Sequence, residues 1–176
     1  MKHRIGCLLL WLTLAACSSV DVTHYAAAQP SLNLEQYFNG KVDAWGMFQS
    51  RNGEVIKRFH VEIDASWQGD RGTLDEFFRY SDGSTQRRIW HLQRTAPGLY
   101  IGRADDVVGE AHGEVAGNAL RWSYVLRLPV DGIDYQVSFD DWMYLLDQQS
   151  MLNRSVMSKF GVELGQVTLF FRKRAI

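Results

Sequence analysis

Between Val55 and Trp67 the chain alternates. Val55, Phe59, Val61, Ile63, Ala65 and Trp67 fall on one parity, with Lys57 the exception, and Arg58, His60, Glu62, Asp64 and Ser66 fall on the other. A period of two puts successive side chains on opposite faces of a strand, so this segment predicts a half-buried strand. Asn52-Gly53 ahead of it is a hairpin turn sequence that joins it to a strand ending near Gln49. The pattern then recurs. Leu74–Tyr80, Thr85–Thr95, Leu99–Arg103 and Glu110–Val115 read as strands between Ser81-Asp82-Gly83-Ser84, Pro97-Gly98 and other turns. Leu120, Trp122, Tyr124, Leu126 and Leu128 share a face, as do Ile133, Tyr135, Val137 and Phe139, with Asp131-Gly132 between them. Val167, Leu169 and Phe171 alternate with Thr168, Phe170 and Arg172 at the end.

Residues 142–160 fit either a short helix, through Met143, Leu146, Met151 and Val156, or two further strands around Asp147-Gln148-Gln149-Ser150. The strands are the better reading, because Gly161 and Gly165 then punctuate a continuing meander. Short strands joined by hairpin turns predict an all-β fold, an antiparallel up-and-down β-barrel of about 8–10 strands. Closure is the simplest way for such a chain to avoid exposed strand edges.

The N-terminus follows another pattern. Basic Lys2-His3-Arg4 precedes an apolar run from Ile5 to Leu14, which is too short to span a bilayer and has the layout of a secretory signal. Leu14-Ala15-Ala16-Cys17 resembles the bacterial lipobox, in which the cysteine thiol takes a diacylglyceryl group. The expected organisation is a cleaved signal over 1–16, a lipidated Cys17 with a tether to residue 34, and a barrel domain over 35–176. Ser18, rather than an aspartate, follows the cysteine, so the expected location is the periplasmic face of the outer membrane. A processed lipoprotein cysteine carries several acyl chains, palmitate-type lipid among them, enough for a stable anchor.

Composition narrows the rest. Cys7 and Cys17 are the two cysteines. With one lost in the signal and the other lipidated, the mature domain has no disulfide, thiolate-metal site or cysteine nucleophile. A formal net charge of −1 with no basic stripe excludes a nucleic-acid partner. The sequence contains no nucleophile elbow, zinc helix, P-loop or dinucleotide fingerprint, so no cofactor or metal is expected.

Several segments together resemble one family. They are Tyr37-Phe38-Asn39-Gly40, Trp45-Gly46, Asp82-Gly83, Gly109-Glu110-Ala111-His112-Gly113 and Gly117-Asn118-Ala119-Leu120. Asp140-Asp141-Trp142-Met143-Tyr144, Asn153-Arg154 and Lys159-Phe160-Gly161 complete the set. The chain is similar to the bacterial lipoproteins grouped as domain of unknown function 3833, described as lipocalin-like. The resemblance implies a calycin-type barrel and a setting in membrane lipid metabolism, with no established activity. A lipocalin Gly-x-Trp signature is absent, since four residues separate Gly40 from Trp45.

The candidate chemistry is sparse. His60, Glu62 and Asp64 share a face, as do His112 and Glu114, but spacing along a strand converges poorly on one metal, and a solvated outer face explains them. Asp141 is different, because it shares parity with Phe139, Val137 and Tyr135, and a carboxylate there is costly unless paired or neutralised. Arg154, in the next strand, is the expected partner, either as a structural ion pair or as an anchor for a ligand head group. Trp45, Phe59, Trp67, Trp122, Tyr124 and Trp142 are the expected aromatic lining of a cavity, or else packed core. The leading expectation is a binding module for a hydrophobic small molecule such as a fatty acyl lipid. The alternatives are a lipid-modifying enzyme (isomerase, cyclase or hydrolase) that uses Asp141 and Arg154, and a structural envelope-assembly lipoprotein.

Overall fold

A computed structural model describes residues 20–130 and 132–174. Ten antiparallel strands follow in chain order: β1 Gly40–Ser50, β2 Val55–Gln68, β3 Arg71–Tyr80, β4 Thr85–Ala96, β5 Leu99–Arg103, β6 Ala111–Ala116, β7 Ala119–Val130, β8 Ile133–Leu145, β9 Ser150–Lys159 and β10 Val162–Lys173. Each pairs with its sequence neighbour, and β10 returns to β1 in a register from Val42 opposite Lys173 to Ser50 opposite Gly165, closing the barrel. Residues 142–160 hold the end of β8 and all of β9, the two-strand reading of that segment. The proposed signal over 1–16 and Cys17 lie outside the described residues. No helix among the described residues is long and apolar enough to cross a membrane.

Alternation sorts each strand into an outward row and an inward row. Val42, Ala44, Val61, Ile63, Leu74, Trp90, Leu92, Trp122, Leu126, Val137 and Phe139 are all buried inside. The barrel accommodates its tryptophans because facing positions are glycines. Trp122 lies across Gly102 and Gly113, Trp67 across Gly72, and Phe59 across Gly46. A side chain at any of these glycines would collide with the ring above it, so at these positions the rings pack directly on backbone.

One end of the barrel is closed by the N-terminal segment. The stretch expected as a tether up to residue 34 is instead docked from Val22 onward. A 3-10 turn, Val22–Tyr25, buries Val22 and packs on β6 and β7. Leu32 N–H bonds to the Gly117 carbonyl at 2.8 Å. Asn33 then caps the four-residue helix α1, Leu34–Tyr37, by accepting from Gln36 N–H at 2.7 Å. Leu34, Tyr37 and Phe38 are buried against the core, and the Tyr37 hydroxyl donates to the Gln149 carbonyl at 3.1 Å. Composition misled the expectation here. Isolated Val22, Leu32 and Leu34 among small polar residues were enough to dock the segment.

The other end stays open. There β5 and β6 stop short, and the loop between them runs along β7, with Val108 N–H bonded to the Val125 carbonyl and Arg127 N–H to the Asp106 carbonyl. This loop carries Asp106 to the barrel wall. We predict that Gly113→Ala, a single methyl driven into the Trp122 ring, destabilises the protein by about 1–3 kcal/mol in urea unfolding, although Gly113 has an ordinary strand backbone.

Candidate functional site

The interior has three tiers. At the closed end Trp67, Trp90, Trp122 and Tyr100 pack edge to face, with ring centroids 5.9 Å apart for Trp90–Trp122 and 6.3 Å for Trp67–Tyr100. Towards the open end the inward side chains Phe48, Phe59, Leu128, Met157, Val167 and Leu169 are only half-buried. Between these tiers lies a polar layer. Asp141 from β8, Ser155 from β9, Tyr124 from β7, Glu76 from β3 and Arg88 from β4 all occupy inward positions, and Asp106 joins them from the loop.

Asp141 is 7% exposed. The Tyr124 hydroxyl donates to its Oδ2 at 3.1 Å and the Ser155 hydroxyl donates to its Oδ1. Burial pushes the Asp141 carboxyl up to about 7; those two hydrogen bonds oppose the rise, and neighbouring Asp140 adds to it. Glu76 is also raised to about 7, chiefly by burial, with Arg88 opposing and Asp106 and Asp141 reinforcing. Arg88 holds Asp106 through Nε at 2.9 Å and Nη2 at 2.7 Å and lies over the Phe78 ring at 5.6 Å. Burial works against the Arg88 charge, but the bond to Asp106 and the field of Glu76 outweigh it and raise its pKa. The Tyr124 hydroxyl is raised well above its usual range by burial and by Asp141. Near neutral pH this layer therefore holds exchangeable protons on two carboxyls that face one interior.

Five of the expected residues, Asp141, Phe59, Trp67, Trp122 and Tyr124, lie within the barrel, and three do not. Arg154 is not the partner of Asp141. The register places Asp141 opposite Ser155 on the inside and Trp142 opposite Arg154 on the outside, where Arg154 donates to Gln166 at 3.0 Å. Trp142 is outward, stacked on Tyr144 with the Arg121 guanidinium 5.4 Å from its ring. Trp45 is outward and 48% exposed, stacked between His60 and Phe170. Each correction has the same cause: a one-residue parity step moves a side chain through the wall. Of the lining expected from sequence, Trp67 and Trp122 belong to the packed tier, and Phe59 and Tyr124 border the open one. Glu76, Arg88, Asp106 and Ser155 were missed. Glu76 shares parity with Leu74 and Phe78, and Arg88 with Trp90 and Leu92, which is the same signal that singled out Asp141.

Two surface hollows lie elsewhere. One of about 200 Å³ sits on the outer face among Lys41, Glu62, Asp64, Asp75, Arg87 and Arg174, where ion pairs such as Arg87–Asp75 at 2.7 Å span the strands. Another of about 380 Å³ lies beside α1, lined by Tyr37, Gln149 and Lys173. Neither includes a residue of the polar layer.

A family model described as "Protein of unknown function (DUF3833)" matches residues 11–173. Among solved structures, the S-type phycobiliprotein lyase CPES from Guillardia theta aligns with a TM-score of 0.59 at 4% identity, covering 82% of this chain and 95% of that one. A de novo designed fluorescence-activating β-barrel aligns with a TM-score of 0.45 at 13% identity, covering 81% of this chain and 99% of the design. At 4% identity the likeness to the lyase is one of fold. Comparison with curated proteins gives no significant match.

The raised carboxyl has a consequence for stability. A folded-state value near 7 against an unfolded value near 3.8 means that the folded protein holds the proton more tightly. Stability contributed by Asp141 is therefore full below about pH 4, falls as pH rises towards 7, and levels off above it. Asp141→Asn removes that loss. Thermal unfolding should show the variant melting several degrees above the parent at pH 8, with the gap closing at pH 4.

Proposed function

The chain belongs to the family of proteins of unknown function DUF3833, and for it we propose a lipid-anchored binding barrel that holds an apolar molecule in its open cup. The observation that carries this reading is the change of burial along the inward rows. Trp90 and Trp122 are buried, whereas Phe48, Phe59, Leu128, Met157, Val167 and Leu169, equally inward and equally apolar, remain half-exposed above a polar layer. Apolar walls with a few placed polar groups are the usual chemistry of a small-molecule site. The likeness to a phycobiliprotein lyase supports the reading only as far as the fold goes.

The polar layer narrows the ligand. Its cation, Arg88, is already paired with Asp106, and the free carboxyls are protonated or anionic near neutral pH. A second carboxylate arriving there would be repelled. The layer suits a neutral hydrogen-bonding end, such as an ester or amide carbonyl, at the head of an acyl chain. Anchoring through Cys17 at the periplasmic face of the outer membrane would place the cup where such lipids are found.

A lipid-modifying enzyme is the second reading, favoured by the two carboxyls held near 7, values suited to proton transfer. Arg88, rather than Arg154, would then be the cation beside the reacting group. A mass change in a bound acyl ester after incubation, abolished in Glu76→Gln or Asp141→Asn, would establish catalysis over simple binding.

Two measurements test the binding reading. A fluorescent acyl ester should bind the purified protein saturably, and Met157→Trp, which crowds the cup wall, should weaken it about tenfold or more. Equal binding by parent and variant would remove the cup as the site. In cells, labelled palmitate should be incorporated into the chain and lost completely in Cys17→Ser.

A further inference from the structure

We propose that the mouth of the barrel rests on a lipid bilayer through three neighbouring hairpin tips. The proposal builds on the cup reading by naming the surface from which the cup is filled. In barrel order the β2–β1, β10–β9 and β8–β7 hairpins follow one another around the open rim. They carry Ile56 at 53% exposure, Ile133 at 58% and Phe160 at 95%, together with exposed Val55, Val130 and Val162. The rest of the same rim is polar, formed by the Ser81–Ser84 turn and the loop holding Asp105 and Asp106. Turns at the closed end carry Gly69-Asp70, Gly117-Asn118 and Asp147-Gln148-Gln149, with Leu99 at 45% and Leu146 at 50% exposure standing singly among them. The three adjacent apolar tips thus form a cluster on one arc of one end.

Phe160 is the telling residue. It stands at the apex of its turn with φ of 51°, in the left-handed region where asparagine or glycine would sit without strain. A bulky residue there costs roughly 1–2 kcal/mol, and Phe160 is 95% exposed, with the Lys159 ammonium 5.4 Å from its ring centroid. Neither fold nor packing accounts for it.

A bilayer fits the arc better than a rigid partner does. The tips are the ends of three separate hairpins, and none of them lines either surface hollow. Behind them comes a tier of Lys57 over the Tyr80 ring at 4.7 Å and Lys159 over the Tyr135 ring at 4.2 Å. Apolar tips backed by tyrosine and lysine reproduce the layering of a membrane interface. Charges on the three hairpins roughly cancel, with Arg51, Lys57 and Lys159 against Glu54, Asp131, Asp134 and Glu163, so anionic lipid is not required. The preceding chain does not supply a cover on the lipoprotein reading. Asp21 lies within the field of Arg121 in the closed half, and the three residues from Cys17 to Val20 span only about 10 Å.

The test uses the full chain carrying Cys17→Ala, so that no lipid of its own can hold it, and neutral phosphatidylcholine vesicles. Sedimentation with vesicles should fall roughly tenfold when Phe160→Asp and Ile133→Asp are added, and should persist in about 0.5 M salt. Leu99→Asp, an exposed apolar position at the other end, should leave it unchanged. Binding of the acyl ester in solution should survive the Phe160 and Ile133 substitutions, so a collar failure and a cup failure read out separately. The proposal is overturned if vesicle binding is absent, is unaffected by the two substitutions, or is lost equally in Leu99→Asp. It is also overturned if sedimentation velocity shows a dimer that the two substitutions dissociate, because a second copy would then be what covers the tips.

Discussion

The pairing of β10 with β1 is the constraint on which the other features depend. Once the register from Val42–Lys173 to Ser50–Gly165 is made, every strand has an inside and an outside, and no edge remains to template aggregation. Closure also makes parity unforgiving. An inward polar residue cannot turn to water through the wall; it must find a partner, hold a proton, or face the one opening that the barrel retains. Asp141, Glu76 and Arg88 use these three solutions in different mixtures. Arg88 has Asp106, while Asp141 has two hydroxyl donors but no cation in contact. The raised carboxyl values follow chiefly from burial, which the hydroxyl donors to Asp141 and the Arg88 charge near Glu76 offset only in part.

The two ends of the barrel divide the work. At the closed end, α1 and the preceding segment seal a tier in which tryptophans lie flat across glycines, an arrangement that fixes the interior without space to spare. The sealed tier lies directly beneath the polar layer. A barrel filled from end to end would gain more apolar burial, at roughly 25 cal/mol per Å². The half-exposed rows of Phe48, Phe59 and Leu169 forgo part of that stabilisation, as the proposed binding role would require.

Much of this architecture was legible as alternation plus turns. The Val55–Trp67 row and the Leu120–Leu128 row declared which side chains go inside, and Asp141 stood out as a charge on an apolar row. The pairing of Asp141 with Arg154 failed because adjacency in sequence order says nothing of register: Ser155, one position on, is what the β8–β9 hairpin sets opposite Asp141. Trp45 and Trp142 failed for a related reason. Large aromatics are expected inside, yet an outer wall also uses them, here stacked on His60, Phe170 and Tyr144. Asp106 could not be read at all, because it reaches Arg88 from an irregular loop that has no period.

The docked N-terminal segment bears on how such a molecule can be used. Val22, Leu32 and Leu34 hold the segment against the closed half, so the proposed lipid on Cys17 would be carried on a leash of about three residues rather than on the seventeen or so that composition suggested. A long tether would let the barrel turn freely above its membrane. A short one would couple the orientation of the barrel to the surface that holds it, since Val22–Tyr25 packs beside β6 and β7. The mouth lies at the far end of β7, about nine residues and roughly 30 Å along the strand from Arg121. On the proposed lipidation, anchor and opening would be separated by nearly the length of the wall. A barrel standing on such an anchored end would present its mouth away from that membrane, and a barrel lying along the β7–β8 side would bring both to it. For the proposed binding role, the leash length and the position of the opening, more than the cup itself, would decide between carrying a ligand away from one membrane and drawing it from that same membrane.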